Sequence, residues 1–217
     1  MTADLFASLS DVRASQEEMA EAAVLLRGFV GDSEIELIAE LRNIVAQAPF
    51  RRMITPGGHQ MSVAMTNCGN AGWVTDSHGY RYSAVNPETG KPWPAIPPLL
   101  RDLADRAAGR ASFAGFAPDV CLINRYVPGA KMSLHQDKDE FDFAAPIVSV
   151  SLGLPAIFLF GGLKRSDKAR RFRVEHGDVA VWGGPSRLFF HGVAPLAEGE
   201  HPVMGPQRLN LTFRKIR

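Results

Sequence analysis

From Asp119 to its C-terminus the chain is written in short runs of alternating polar and apolar residues, each cut off by a turn. DVCLINRY ends at VPGA, IVSVSL and AIFLF flank GLP, EHGD precedes VAVW, and GGPS precedes RLFFHGV before a closing RLNLTFR. Side chains two apart on an extended chain share a face, so each run can commit one face to a core and keep the other for something else. Runs this short need partners on both edges, and the turns between them are too brief for crossover helices. The pattern therefore predicts a mostly β (α+β) chain whose residues 117–217 form an antiparallel double-sheet jelly roll. The uncharged run Phe143–Leu163 is long enough to raise a membrane helix. Its Ser149, Ser151, Gly153, Pro155, Gly161 and Gly162 make two buried strands around a turn the better reading, and no association with a membrane is expected.

The faces left over by this alternation carry chemistry. If Lys131–Asp137 is extended, Ser133, His135 and Asp137 point one way while Met132 and Leu134 point into a core. In RLFFHGV, Arg187, Phe189 and His191 share a face, with Leu188 and Phe190 on the other. One imidazole and one carboxylate side by side, completed by an imidazole from a distant strand, make a facial triad for Fe(II) that leaves positions open for co-substrates. An isolated His-x-Asp is more simply a solvated pair. RLNLTFR weighs against that reading, because Arg208, Asn210, Thr212 and Arg214 alternate with Leu209, Leu211 and Phe213. Two guanidiniums on the polar side of an apolar-backed strand suit a dicarboxylate, which a guanidinium fork binds bidentately. In DVCLINRY, Val120, Leu122, Asn124 and Tyr126 share a face, setting an amide and a phenol beside an apolar wall.

The rest of the chain frames this site. With 217 residues and 46% hydrophobic content it can bury a substantial core. Cys68 and Cys121 lie far apart in no metal or redox spacing, and Met1–Ser15 lacks a basic region followed by an apolar one, so a reducing cytoplasm is expected. The net charge of +1 is unevenly spread: residues 1–50 hold three Lys or Arg against nine Asp or Glu, the remainder 21 against 14. Lys164–Arg173, with six cations and one acid, reads either as a solvated loop or as a contact to a phosphate backbone. A short helix is expected near Ser15–Ala22 and a strand at AVLLRGF. Ser33 and Glu36 form a capping box ahead of Leu37, Ile38, Leu41, Ile44 and Val45 at helical spacing. A second helix starts at Pro97 and Pro98, with Leu99, Leu100, Leu103 and Ala107 on one face. Between them, Thr55–Trp93 is rich in Gly, Asn, Ser and Pro with interspersed aromatics, as a lid would be. Trp73 has little apolar cover among Gly69, Asn70, Gly72 and Thr75, which favours an aromatic face open for stacking over a packing residue. His176 is explained by its turn, and His78 and His201 are expected to be solvated.

His135-x-Asp137, His191, Arg208-x-Asn210 with Arg214, and Asn124-Arg125-Tyr126 together resemble the Fe(II)- and 2-oxoglutarate-dependent dioxygenases of the AlkB type. The resemblance runs from TPGGHQMSVAMTNCG to the C-terminus. It implies a double-stranded β-helix, with residues 1–116 as N-terminal helical extension and nucleotide-recognition lid on one compact catalytic unit. It implies Fe(II) on His135, Asp137 and His191, with dioxygen as second co-substrate. For 2-oxoglutarate it implies Asn124, Arg125, Tyr126, Arg208, Asn210 and Arg214, Arg208 taking the far carboxylate. Trp73, Tyr80, Arg81 and Tyr82 would contact the base or its strand, Asp139 the exocyclic amino group, and Arg165 a phosphate. The implied reaction is oxidative removal of N-alkyl groups, such as those of 1-methyladenine and 3-methylcytosine, from flipped bases in DNA, with release of formaldehyde and succinate. A monomer acting on alkylated DNA, single-stranded by preference and with RNA as a further substrate, is expected. Two alternatives stand beside it: the same iron site acting on RNA, protein or a small metabolite, and a non-catalytic jelly-roll module binding metal or nucleic acid. The second leaves Arg208 and Arg214 without a task.

Overall fold

The structure, a computed structural model, describes residues 15–77 and 79–217, so His78 lies outside the described residues. In chain order the elements begin with strands β1 (Gln16–Ala20) and β2 (Ala23–Leu26), helix α1 (Glu34–Gln47), and strands β3 (Ala64–Gly69), β4 (Gly72–Asp76) and β5 (Gly79–Ser83). After helix α2 (Pro98–Arg110) come β6 (Val120–Tyr126), β7 (Met132–His135), β8 (Ile147–Gly153), β9 (Ala156–Phe160), β10 (Arg170–Val174), β11 (Val179–Trp182), β12 (His191–Val193) and β13 (Arg208–Arg214). Seven strands make a major sheet in the order β1-β2-β11-β8-β13-β6-β3, and four make a minor sheet, β10-β9-β12-β7. All pairings are antiparallel, and β4 and β5 form a separate hairpin. This is the mostly-strand jelly roll that the alternating runs predict.

The alternation also decides where the apolar residues go. On β13, Leu209, Leu211 and Phe213 pack with Val148, Val150 and Leu152 of β8 beneath the apolar faces of α1 (Leu37, Leu41, Ile44) and α2 (Leu100, Leu103, Ala107). A second apolar cluster, including Phe158, Phe160, Phe172 and Trp182, fills the space between the sheets. The polar faces of β6, β8 and β13 look into that same space, so polar groups are buried at the centre of the molecule and need partners there.

Several sequence expectations change. Within Ser15–Ala22 the chain forms strand β1 (Gln16–Ala20) rather than a helix, paired with β2 at the sheet edge: Met19 is buried while Gln16, Glu17 and Glu18 stay exposed. Ser33 makes no side-chain cap bond, since the chain enters α1 through a 3-10 turn at Gly31–Ser33 and Ser33 sits at ψ 5°, outside extended cap geometry. Strands β1, β2 and β3 belong to the major sheet, so residues before 117 and after it share that sheet. Only His191–Val193 of RLFFHGV is strand, because a 3-10 turn at Gly184–Ser186 precedes it. His201 is not a solvated residue: its ring stacks on His176 at 4.3 Å, and its Nδ1 accepts from the backbone N–H groups of Val203 and Met204. Among the described residues no helix is long and apolar enough to cross a membrane.

Candidate active site

Strands β7 and β12 lie side by side in the minor sheet, with His135 directly opposite His191. The register slips before Val193 pairs with Met132, so β7 carries a bulge, and Met132 joins His135 on the wall of the central cavity. Strand β7 ends at His135, and Asp137 reaches the site from the segment beyond it. Asp137 Oδ1 lies 3.8 Å from His135 Nε2, and Oδ2 lies 3.7 Å from His191 Nε2. One ligand atom from each residue fits within 4.8 Å of the others.

The imidazoles are set for ligation. His135 Nδ1 is 2.9 Å from the Ser133 carbonyl and His191 Nδ1 is 3.0 Å from that of Phe189. Each Nδ1 therefore carries the proton and donates, which leaves each Nε2 lone pair directed toward Asp137, the orientation a metal site requires. Desolvation at the cavity wall, and then the facing His191, pushes the His135 pKa down to about 4, so its ring is neutral at neutral pH. Burial raises the Asp137 carboxyl, but Arg214 and the two imidazoles overcome it and hold the group well below the usual carboxylate range. Two imidazole nitrogens and one carboxylate oxygen, converging on a shared point, fit a divalent first-row metal with open positions.

Next to the triad is a cavity of about 80 Å³, against the roughly 10–15 Å³ that one water needs on the same measure. Asn124, Tyr126, Arg208, Asn210, Thr212 and Arg214 all line it. Arg208 is buried over the Tyr126 ring at 5.1 Å and donates from Nη2 to Ser151 Oγ, while its Nε and Nη1 are buried without a partner. Asn210 donates to Ser149 Oγ and the Val150 carbonyl, and its Oδ1 accepts from Thr212 and Asn124. A cationic fork with unmet donors and a phenol kept protonated by burial suit the far carboxylate of a keto-diacid. Arg214, 2.7 Å from Asp137 Oδ2, stands at the metal end.

Arg125 does not belong here. On β6 it alternates to the opposite face, where it lies over the Phe50 ring at 5.0 Å beside α1. The hairpin residues divide. Trp73 lines the cavity, stacks on Tyr80 at 5.4 Å and donates from Nε1 to Asp139 Oδ2 at 2.8 Å, so both hold the mouth. Trp73 is also half-buried against the inter-sheet cluster, and so combines the two roles weighed for it. Arg81 is engaged by Asp76 through both Nη atoms. The Tyr82 hydroxyl donates to Glu140 at 2.5 Å and accepts from Arg214, which leaves it turned toward the metal carboxylate. Arg165 lies over Phe190 at 5.0 Å and donates to the Leu134 carbonyl. The sequence reading passed over Glu140 and Arg187, both buried, and gave no role to Ser149 and Ser151. The serines had a signal, as the only polar residues alternating inside the apolar run IVSVSL.

Comparison with known proteins agrees with this geometry. The family model described as the 2OG-Fe(II) oxygenase superfamily matches residues 22–214. The chain is 58% identical over 212 residues to the alpha-ketoglutarate-dependent dioxygenase AlkB of Escherichia coli (strain K12), covering 98% of this chain and 97% of that protein. It is 46% identical over 172 residues to the AlkB homolog of Caulobacter vibrioides (strain NA1000 / CB15N), covering 79% and 76%. The solved structure of OsALKBH1 superposes with a TM-score of 0.82 at 30% identity, over 93% of this chain and 100% of that one. With its triad, diacid pocket and double sheet in place, the chain belongs to the AlkB family of 2OG-Fe(II) oxygenases.

Proposed function

We propose that this dioxygenase removes N-alkyl groups from nucleobases in DNA, taking cationic lesions such as 1-methyladenine and 3-methylcytosine. The observation that carries this reading is the pairing of Trp73 and Asp139 at the mouth of the cavity that holds the triad. An aromatic face and a carboxylate side by side match a flat, positively charged ring with an exocyclic amino group. His135, Asp137 and His191 would hold Fe(II), Arg208 with Tyr126 and Asn210 would bind the far carboxylate of 2-oxoglutarate, and Arg214 with Asn124 would orient the other end. Iron, 2-oxoglutarate and dioxygen together supply the oxidising power that converts an N-methyl carbon to formaldehyde. The protein sets the base against that centre, screens it from water behind the β4–β5 hairpin, and keeps the His135 imidazole neutral. Lesions that cannot pair, and bases already single-stranded, are extruded at least cost, so single strands are preferred, with RNA as a further substrate. A phosphate of the lesion strand falls to Arg165, with the exposed cations of Lys164–Arg173 around it. We propose that the enzyme acts as a monomer in the cytoplasm, a reducing compartment that suits the free, buried Cys68 and Cys121.

The test is formaldehyde and succinate release with methylated single-stranded DNA, methylated RNA and no nucleic acid. Turnover should be greatest with DNA and abolished in His135→Ala and Asp137→Ala. Full turnover in either variant, or none above background with both nucleic acids, would discard the reading.

A further inference from the structure

Asp137 is held at both ends. Its carboxylate faces the imidazoles and Arg214, and its main-chain carbonyl accepts from Arg187 Nη1 at 2.8 Å. Arg187 stands four residues before His191, so this bond ties the segment that carries one metal imidazole to the backbone of the metal carboxylate. The same guanidinium donates from Nε to the Ala145 carbonyl at 3.1 Å and from Nη2 to Glu140 Oε2 at 3.2 Å. The other oxygen of Glu140 accepts from the Tyr82 hydroxyl at 2.5 Å and lies 3.5 Å from Arg214 Nε. The Glu140 and Arg187 side chains are 1% and 2% exposed, as enclosed as any core residue.

A buried ion pair is a poor source of stability, because desolvation offsets its attraction. Its position here suggests another task. Glu140 accepts hydrogen bonds from two separate places, the hairpin strand β5 and the turn before β12, and its charge faces Arg214 of β13. It also provides a second counter-charge for Arg214 beside Asp137. Without it, Arg187 would lose its buried ion-pair partner and Arg214 would depend on Asp137 alone.

We propose that Glu140, acting through Arg187, is a positioning residue that sets the metal affinity of the site by fixing the Asp137 backbone relative to His191. Glu140 belongs neither to the His135, Asp137 and His191 cluster nor to the lining of the central cavity. This inference rests on the proposed metal site, and its test separates the two.

Mn(II), a divalent stand-in that needs no oxidant or co-substrate, is titrated calorimetrically into metal-free full-length protein. Glu140→Gln, which keeps the shape and removes the charge, should weaken Mn(II) binding about 10- to 100-fold, the usual effect of losing an outer-sphere partner. Arg187→Lys, which keeps the charge but cannot span Asp137, Ala145 and Glu140 together, should weaken it in the same direction. Asp178→Asn removes an ion pair with Arg27, 2.8 Å long and less enclosed, that touches no triad residue. It should lower the melting temperature and leave the Mn(II) affinity unchanged. Affinities within twofold of the wild type in folded Glu140→Gln, or in Arg187→Lys should the first variant not fold, overturn the proposal while leaving the metal site intact. A wild-type protein that binds no Mn(II) overturns both.

Discussion

At the scale of the residue, Arg208 shows function set against stability. Its guanidinium is buried with one hydrogen bond to Ser151 and two nitrogens unmet, and that burial depresses its pKa. Exchanging a buried, undercompensated charge for an apolar side chain of similar volume gains about 1–4 kcal/mol. Arg208→Met should therefore melt higher by a few degrees, at roughly 2–4 °C per kcal/mol for a chain of this size. It should also raise the KM for 2-oxoglutarate at least about tenfold, since a charged hydrogen bond contributes about 1.5–3 kcal/mol. A thermal scan and an initial-rate series check the two halves, and a lower melting temperature would mean that Arg208 braces the fold. The alternation of β13 made this residue legible in the sequence. The same rule, applied to β6, sends Arg125 to the far face, and only its place in the resembled motif joins it to Asn124 and Tyr126.

At the scale of the element, the two imidazoles meet because β12 runs close against β7. Gly192 allows this: a Cβ there would lie 2.6 Å from the Met132 carbonyl oxygen, a backbone atom that cannot swing aside. Gly192→Ala should push the strands apart, separate His191 from His135 and weaken Mn(II) binding by about tenfold or more; an unchanged affinity would show that the bulge absorbs the methyl group. The bulge itself was not legible, since strict alternation assigns Met132 to the face opposite His135, whereas both line the cavity. The hairpin β4–β5 makes a second test. Stacking on an aromatic side chain contributes about 1–3 kcal/mol per base, so Trp73→Ala should raise the KM for methylated oligonucleotide about 10- to 100-fold. Its KM for 2-oxoglutarate should stay unchanged, and a rise in both would mean that Trp73 holds the cavity itself.

At the scale of the whole molecule, the major sheet turns its apolar side to α1 and α2 and its polar side to the space between the sheets. A sequence shows which residues share a face, but not that the polar face is the inner one; Arg187 and Glu140 stayed hidden because they lie in turns, where no period applies. A half-buried polar knot, outside the triad, joins elements distant along the chain. His176 Nδ1 accepts from the Gly153 N–H at the end of β8, its Nε2 faces Glu34 at the start of α1 at 3.3 Å, and its ring stacks on His201. Burial, and then His201, lower the His176 pKa, with Glu34 partly opposing them. A histidine whose folded pKa lies below its unfolded value of about 6.5 binds fewer protons in the native state, so stability is fully present above that value. It declines as the pH falls below about 6.5, because the imidazolium cannot accept from Gly153. Denaturant unfolding of the wild type should thus weaken from pH 7 to pH 5, and His176→Gln, which cannot titrate, should show a shallower decline. Parallel pH profiles for the two proteins would mean that Glu34 compensates the charge fully and that the knot does not respond to acid.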